Sequence, residues 1–227
     1  MNSSEANPLK VPPIVLGSGP LEENLQDQGV HISIDQGNWV NFTDPRVKVD
    51  LTLGYSEAGV LLYYQVQEPE IRALVDQDQG PVYQDSCVEW FVTPPGPETL
   101  TGQEPDYLNF EWNSKGFLLH YRGPDRRRRT PAAPQVLAKV LRKSKVASHR
   151  SIDQSGDQSA YPKQWSLLAQ VPFEVLGVTD PKAGLWRANF YKCGDLLARP
   201  HYYSWQKMDT PEPDFHRPEF FGFLEFL

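Results

Sequence analysis

Apolar and polar positions alternate along much of the chain. Val47, Val49, Leu51 and Leu53 alternate with polar neighbours, Glu57 to Gly59 supplies a turn, and Val60 to Val66 returns. A period of two buries one face of an extended strand and wets the other, so Asp44 to Glu68 predicts a β-hairpin. A strand starting at Val30 precedes it. Further strands are expected at Ser86 to Val92, Tyr107 to Trp112, Phe117 to Tyr121, Val136 to Val146, Trp165 to Val171, Leu185 to Lys192 and Phe221 to Phe226. Turn residues separate them, and their spacing is that of an all-β sandwich. One short helix is expected at Pro172 to Leu176, where proline suits the first turn and Gly177 the end. Asn2 to Gly29 is polar and breaker-rich apart from Ile14 to Leu16. Residues 1–29 therefore read as an irregular lead-in packed on a single domain of residues 30–227. Thr93 to Pro105, Gly123 to Pro134 and His149 to Pro162 read as loops.

Composition narrows the class. The 21 prolines in 227 residues are about twice the average share and cannot be spread through helix interiors, which rules out a helical bundle. With 22 basic and 29 acidic side chains the formal charge is -7, the wrong sign for a protein that neutralises nucleic-acid phosphates. No apolar run approaches the roughly 20 residues of a membrane span, and Met1 to Lys10 lacks the pattern of a signal peptide. The chain reads as soluble: periplasmic or extracellular if a signal was trimmed, otherwise cytoplasmic. Cys87 and Cys193 are too few for a disulfide framework or a cysteine-ligated zinc site; a single bridge and two buried thiols both stay open. The basic run Arg126 to Arg129 is bracketed by Pro124, Pro131 and Pro134 without interleaved aromatics. It reads as an exposed loop rather than a binder of phosphate or anionic polysaccharide.

Three stretches carry more polar chemistry than a core needs. In the first, Cys87, Glu89 and Phe91 share one strand face while Val88, Trp90 and Val92 share the other. Glu89 in mid-strand needs a basic partner or a ligand, because an unpaired buried carboxylate is costly. In the second, Asn109, Glu111 and Asn113 lie on one face, with Leu108, Phe110 and Trp112 opposite. Such a face is either solvated or a hydrogen-bonding floor for a polyhydroxylated ligand, since amides and carboxyls match hydroxyls that both donate and accept. The third runs from Asn189 to Cys193, through Tyr202 to Trp205, and on to Asp214 to Gly222. Its dense aromatics can pack a sandwich edge or stack on a ligand.

The order of Asp85-Ser86-Cys87-Val88-Glu89-Trp90-Phe91, Tyr107 with Asn109-Phe110-Glu111-Trp112-Asn113 and Gly116, Trp165 with Val171-Pro172-Phe173, Arg187-Ala188-Asn189-Phe190-Tyr191, Trp205 and Phe215-His216-Arg217-Pro218-Glu219-Phe220-Phe221-Gly222 resembles the carbohydrate-binding module family 9-like group of DOMON-type β-sandwiches. The resemblance covers the chain from about Val30 to its C-terminus. It implies an all-β, antiparallel two-sheet β-sandwich with jelly-roll or immunoglobulin-like layering, and non-catalytic binding of an oligosaccharide or polysaccharide, with two aromatics clamping a terminal sugar. Carried over motif by motif, it puts one aromatic at Tyr83, where tryptophan is usual, the binding carboxylate at Glu89 and the second aromatic at Trp205. Arg122 and Lys192 become candidates for a cationic contact, beside Asn109 and Glu111 from the strand pattern. The resemblance also implies that structural calcium is possible and that a glycoside hydrolase can act alongside; no catalytic residue is expected. Two alternatives remain. Glu89 and Glu111 can be read as a glycosidase pair, and His120, His201, His216 or Met208 can be read as haem ligands, as in some DOMON-type relatives.

Overall fold

The computed structural model describes residues 7–96, 105–147 and 163–227. The expected loop His149 to Pro162 lies outside them, as does most of Thr93 to Pro105. The described residues form a β-sandwich. One sheet contains β2 (Val30–Ser33), β3 (Lys48–Ser56), β4 (Gly59–Glu68), β9 (Leu141–Val146) and β10 (Lys163–Val171), in the order β2-β3-β4-β10-β9. The larger sheet runs β1 (Leu9–Val11), β13 (Gly222–Phe226), β11 (Trp186–Cys193), β5 (Cys87–Thr93), β6 (Tyr107–Asn113), β7 (Leu118–Gly123), β8 (Thr130–Pro131), with β12 (Tyr203–Ser204) also paired to β11. All pairings are antiparallel except β1 with β13.

The alternation in the sequence sets the layers. Leu51, Leu53, Leu62 and Tyr64 from the smaller sheet meet Val88, Trp90, Phe110, Trp112 and Phe190 from the larger one in a continuous apolar core. The hairpin expected over Asp44 to Glu68 forms, and its turn requires glycine. Gly59 has φ of 145°, and a Cβ there would stand 2.1 Å from the Val171 carbonyl oxygen. The helix expected before Gly177 is α3 (Phe173–Leu176), ended by Gly177 at φ of 72°.

Three local expectations are corrected. The lead-in is not irregular: β1 pairs with the last strand, and α1 (Leu21–Gln28) buries Leu25 completely. Its apolar positions Leu21 and Leu25 are one helical turn apart, too few for a clear periodic signal. The strand expected over Val136 to Val146 begins only at Leu141. Pro134 opens α2 (Pro134–Leu137), and Leu137 and Val140 are both buried at a spacing of three, a helical rather than a strand period. Within Gly123 to Pro134, Thr130 and Pro131 pair with β7 instead of remaining loop. Cys87 and Cys193 face each other across β5 and β11 as buried free thiols.

Candidate functional site

The candidate functional face is the outer side of the larger sheet. Strand parity sends Val88, Trp90 and Val92 into the core, so Cys87, Glu89 and Phe91 point outward. Register then fixes the neighbours: Glu89 lies opposite Glu111 on β6 and opposite Tyr191 on β11. The Tyr64 hydroxyl, from the smaller sheet, donates to the Glu89 carbonyl at 3.1 Å and holds this part of β5 from below.

Asp85 and Ser86 explain why a polar pair stands just before the strand. Asp85 is fully buried; its carboxylate accepts from the Arg72 guanidinium, from the Val75 N–H at 2.9 Å and from the Asn113 amide at 3.0 Å. The Ser86 hydroxyl accepts from the Arg72 N–H at 3.1 Å, and the Ser86 N–H donates to the Arg72 carbonyl at 2.9 Å. These bonds pin the segment after Arg72 onto the sheet, so that Gln79, Pro81 and Tyr83 form one rim of a cleft of about 480 Å³. Opposite stand Tyr202, Asp214, Phe215 and His216, and a third side is made by Tyr121 with Arg126, Arg127 and Arg129. Glu89, Glu111 and Cys193 form the floor.

The two floor carboxyls are 3% exposed each. Burial, reinforced by the neighbouring Glu111, drives the Glu89 carboxyl well above the usual carboxylate range. Burial also raises Glu111, to about 7, against the opposing pull of Arg129, the Asn109 amide and Arg126. Side-by-side carboxyls in a dry site cannot both ionise cheaply, so the pair retains a proton near neutral pH. It therefore offers both a donor and acceptors. Cys193 Sγ donates to Glu89 Oε1 at 3.0 Å, and the Asn109 amide donates to Glu111 Oε1 at 2.8 Å, which fixes both carboxyl orientations.

The aromatic walls are equally well braced. Tyr191 stacks on Phe215 at 4.1 Å, while Tyr202 meets Phe42 edge-on at 5.4 Å and Phe215 at 6.0 Å. Tyr107 Oη lies 2.8 Å from His216 Nδ1, and burial pushes the His216 imidazole down to about 2, so it is neutral. The backbone of Tyr83 is tied to the facing loop by the Asp195 N–H, 3.1 Å from its carbonyl oxygen.

Of the residues singled out in the sequence, Tyr83, Glu89 and Glu111 meet in this cleft. Asn109 lies beneath it, fully buried, and acts through Glu111. Arg122, Lys192 and Trp205 do not join them. Lys192 is adjacent to outward-facing Tyr191 and so points between the sheets, fully buried, with its Nζ 3.0 Å from Glu68 Oε2. Arg122 follows outward-facing Tyr121 and ion-pairs with Asp106 at 3.4 Å. Trp205 packs against the core, its ring 5.5 Å from that of Phe190. Tyr202, on the outward side of the same segment, lines the cleft instead. The arginine run lies in an exposed loop, as expected, and three of its four side chains also line the cleft. The run itself was the signal; its direction depended on the β7–β8 return.

The chain matches the family model "Carbohydrate-binding family 9" over residues 21–226. It belongs to carbohydrate-binding family 9. This family 9 chain is 30% identical to a Bacteroides uniformis protein whose name suggests carbohydrate binding, with a TM-score of 0.81, covering 96% of this chain and 98% of that one. It shares its fold with a family 9 module from Caldicellulosiruptor kristjanssonii. The complex of that module with glucose has a TM-score of 0.56 at 13% identity, covering 96% of this chain and 95% of that one. Its complex with cellotriose has a TM-score of 0.53 at 13% identity, covering 96% and 92%. No curated protein matches the chain.

The side chains proposed as haem ligands are engaged elsewhere in this family 9 fold. His120 stacks on Phe110 at 4.0 Å, His201 lies 3.4 Å from Glu68, His216 is tied to Tyr107, and Met208 is buried in the cluster with Trp39 and Phe91. Among the described residues, Cys87, Glu89 and Cys193 are the one side-chain group close enough to share a metal, their ligand atoms within 4.8 Å. Two thiols do not suit calcium, which takes oxygen ligands. No helix among the described residues is long and apolar enough to cross a membrane.

Proposed function

We propose that this family 9 chain binds an oligosaccharide or polysaccharide without cleaving it, in the cleft over Glu89 and Glu111. The observation that carries the reading is the joining of a proton-sharing carboxyl floor to tyrosine walls. A pyranose has apolar C–H faces that fit Tyr83 and Tyr202, and a rim of hydroxyls that fits the carboxyls. Family membership supports carbohydrate as the ligand class, and a glycoside hydrolase acting on the same polysaccharide is the partner enzyme such binding would serve. No calcium is assigned at the cleft, whose floor and walls are held by protein contacts.

Isothermal titration of hits from a glycan array, with calcium and with chelator, tests the reading. Tyr83→Ala is expected to weaken binding about tenfold, equivalent to ~1.4 kcal/mol of lost contact. Trp205→Ala is expected to lower stability by about 2 kcal/mol while leaving affinity within about twofold, since its ring packs on the core. Chelation should leave affinity unchanged. Release of reducing ends from bound oligosaccharides would overturn the non-catalytic reading in favour of a Glu89–Glu111 acid–base pair.

A further inference from the structure

The cleft sets three guanidinium groups beside the acids Glu89, Glu111, Asp195 and Asp214. Arg126, Arg127 and Arg129 all line it, whereas Arg128 turns out to solvent and pairs with Asp125 at 2.6 Å. Among the described residues, neither Arg127 nor Arg129 has an ion pair, and Arg126 approaches Asp214 only to 3.9 Å. Arg129 lies over the Tyr121 ring, 4.9 Å from its centroid, and its Nε donates to the Arg126 carbonyl at 3.0 Å. Its Nη1 is buried without a hydrogen-bond partner among the described residues. A guanidinium held in that state is under-satisfied, and an oxyanion with two acceptor oxygens is its natural complement.

The loop is shaped to present these groups. Asp125 Oδ1 accepts from the backbone N–H of both Arg127 and Arg128 at 2.9 Å. Gly123 lets the chain fold back on itself, since a Cβ there would stand 2.2 Å from the Arg128 carbonyl oxygen. Arg126 and Arg129 act on Glu111, and Arg126 on Glu89 and Asp195, through space, without a hydrogen bond to any of these carboxyls among the described residues. Glu89 and Glu111 lie on the floor, share a proton, and take their hydrogen bonds from Cys193 and Asn109.

We propose that the ligand is an anionic sugar, whose carboxylate or sulfate is held by Arg126, Arg127 and Arg129 while its hydroxyls meet Glu89 and Glu111. This rests on the reading of the cleft as a carbohydrate site. The uronate is the better fit of the two oxyanions, because a planar carboxylate matches the guanidinium fork.

The test is titration at low salt with matched probes: glucose against glucuronic acid, galactose against galacturonic acid, and a sulfated sugar against its unsulfated parent. The acid member of at least one pair is expected to bind about tenfold tighter, with the gap narrowing as salt rises. Preference confined to the sulfated probe would keep the oxyanion and replace the uronate. Arg126→Gln/Arg127→Gln, two exposed positions, should bring the ratio of acid to neutral affinity close to one. Arg128→Gln should leave that ratio as it is. Equal or tighter binding of the neutral sugars, or a ratio unchanged in the double variant, would overturn the proposal while leaving sugar binding intact. Failure of the protein to bind any neutral or anionic glycan would instead remove the carbohydrate reading on which it rests.

Discussion

Glu89 and Glu111 show how a single register contact creates chemistry. Neither carboxyl has a basic partner within hydrogen-bond reach among the described residues; each has a neutral donor and the other acid opposite. The Glu111 carboxyl titrates at about 7 when folded against 4.5 for an ordinary glutamate, with burial as the main cause. Between those values the native state holds a proton that the unfolded chain has released, so stability falls as pH rises through the window. The contribution is intact below about 4.5 and fully lost above about 7. We therefore expect the thermal midpoint to decline as pH rises from 5 to 8, and Glu111→Gln, which keeps the shape without the ionisation, to flatten that slope. A midpoint that rises over the same range would show that both carboxylates are charged and paired in the native state.

At the scale of elements, the two sheets are joined by a polar link as well as by apolar packing. Glu68 at the end of β4 meets Lys192 of β11 at 3.0 Å, accepts from the Trp165 indole of β10 at 2.5 Å and lies 3.4 Å from His201. Burial would raise the Glu68 carboxyl, but Lys192, His201 and Trp165 together hold it down to about 2. Its contribution is thus present above the ordinary glutamate value and lost as pH falls toward 2, the opposite limb from Glu111. Lys192→Met leaves an uncompensated carboxylate between the sheets and is expected to cost about 3–5 kcal/mol in a urea titration, while Glu68→Gln/Lys192→Met recovers part of the loss. A loss below about 1 kcal/mol would mean that the pair is solvated. The same elements show what a sequence conveys. Alternation within β3, β5 and β6 is local, so the faces carrying Glu89 and Glu111 were legible. The facing of Lys192, Arg122 and Trp205 was not, because it depends on pairing between distant segments. Lys192 opposite Tyr203, and Leu119 opposite Glu111, set those parities, and one step of slip exchanges the two faces. Tyr202 rather than Trp205 reaches the cleft for that reason alone.

In the whole molecule, the cleft lies over β11, β5, β6 and β7, whereas the N-terminal segment closes the sandwich at the edge beyond β13. Residues 9–14 cross between the sheets: Leu9 to Val11 pair with β13, and Ile14 donates to the Tyr55 carbonyl of β3 at 2.7 Å. The Tyr55 N–H donates to the Pro12 carbonyl at 3.1 Å, and Leu227 donates to Val11 at 3.0 Å, so the segment binds the last strand to the opposite sheet. The α1 helix then seats Leu25 with Ile14, Leu61 and Leu168 on the outer face of the smaller sheet. Val11 and Leu25 are fully buried, each contributing roughly 2 kcal/mol by its apolar area. Their joint loss, about 4 kcal/mol, is close to the lower end of the roughly 5–15 kcal/mol that stabilises a whole domain. Deleting residues 1–29 is therefore expected to lower the thermal midpoint sharply and to cause association through the uncovered edge of β13 and the end of β3 beyond β2. The cleft is two strands away from β1, so the fraction that stays folded should bind sugar with unaltered affinity. A truncated chain with the thermal midpoint of the full protein would show that the sandwich closes without its strap.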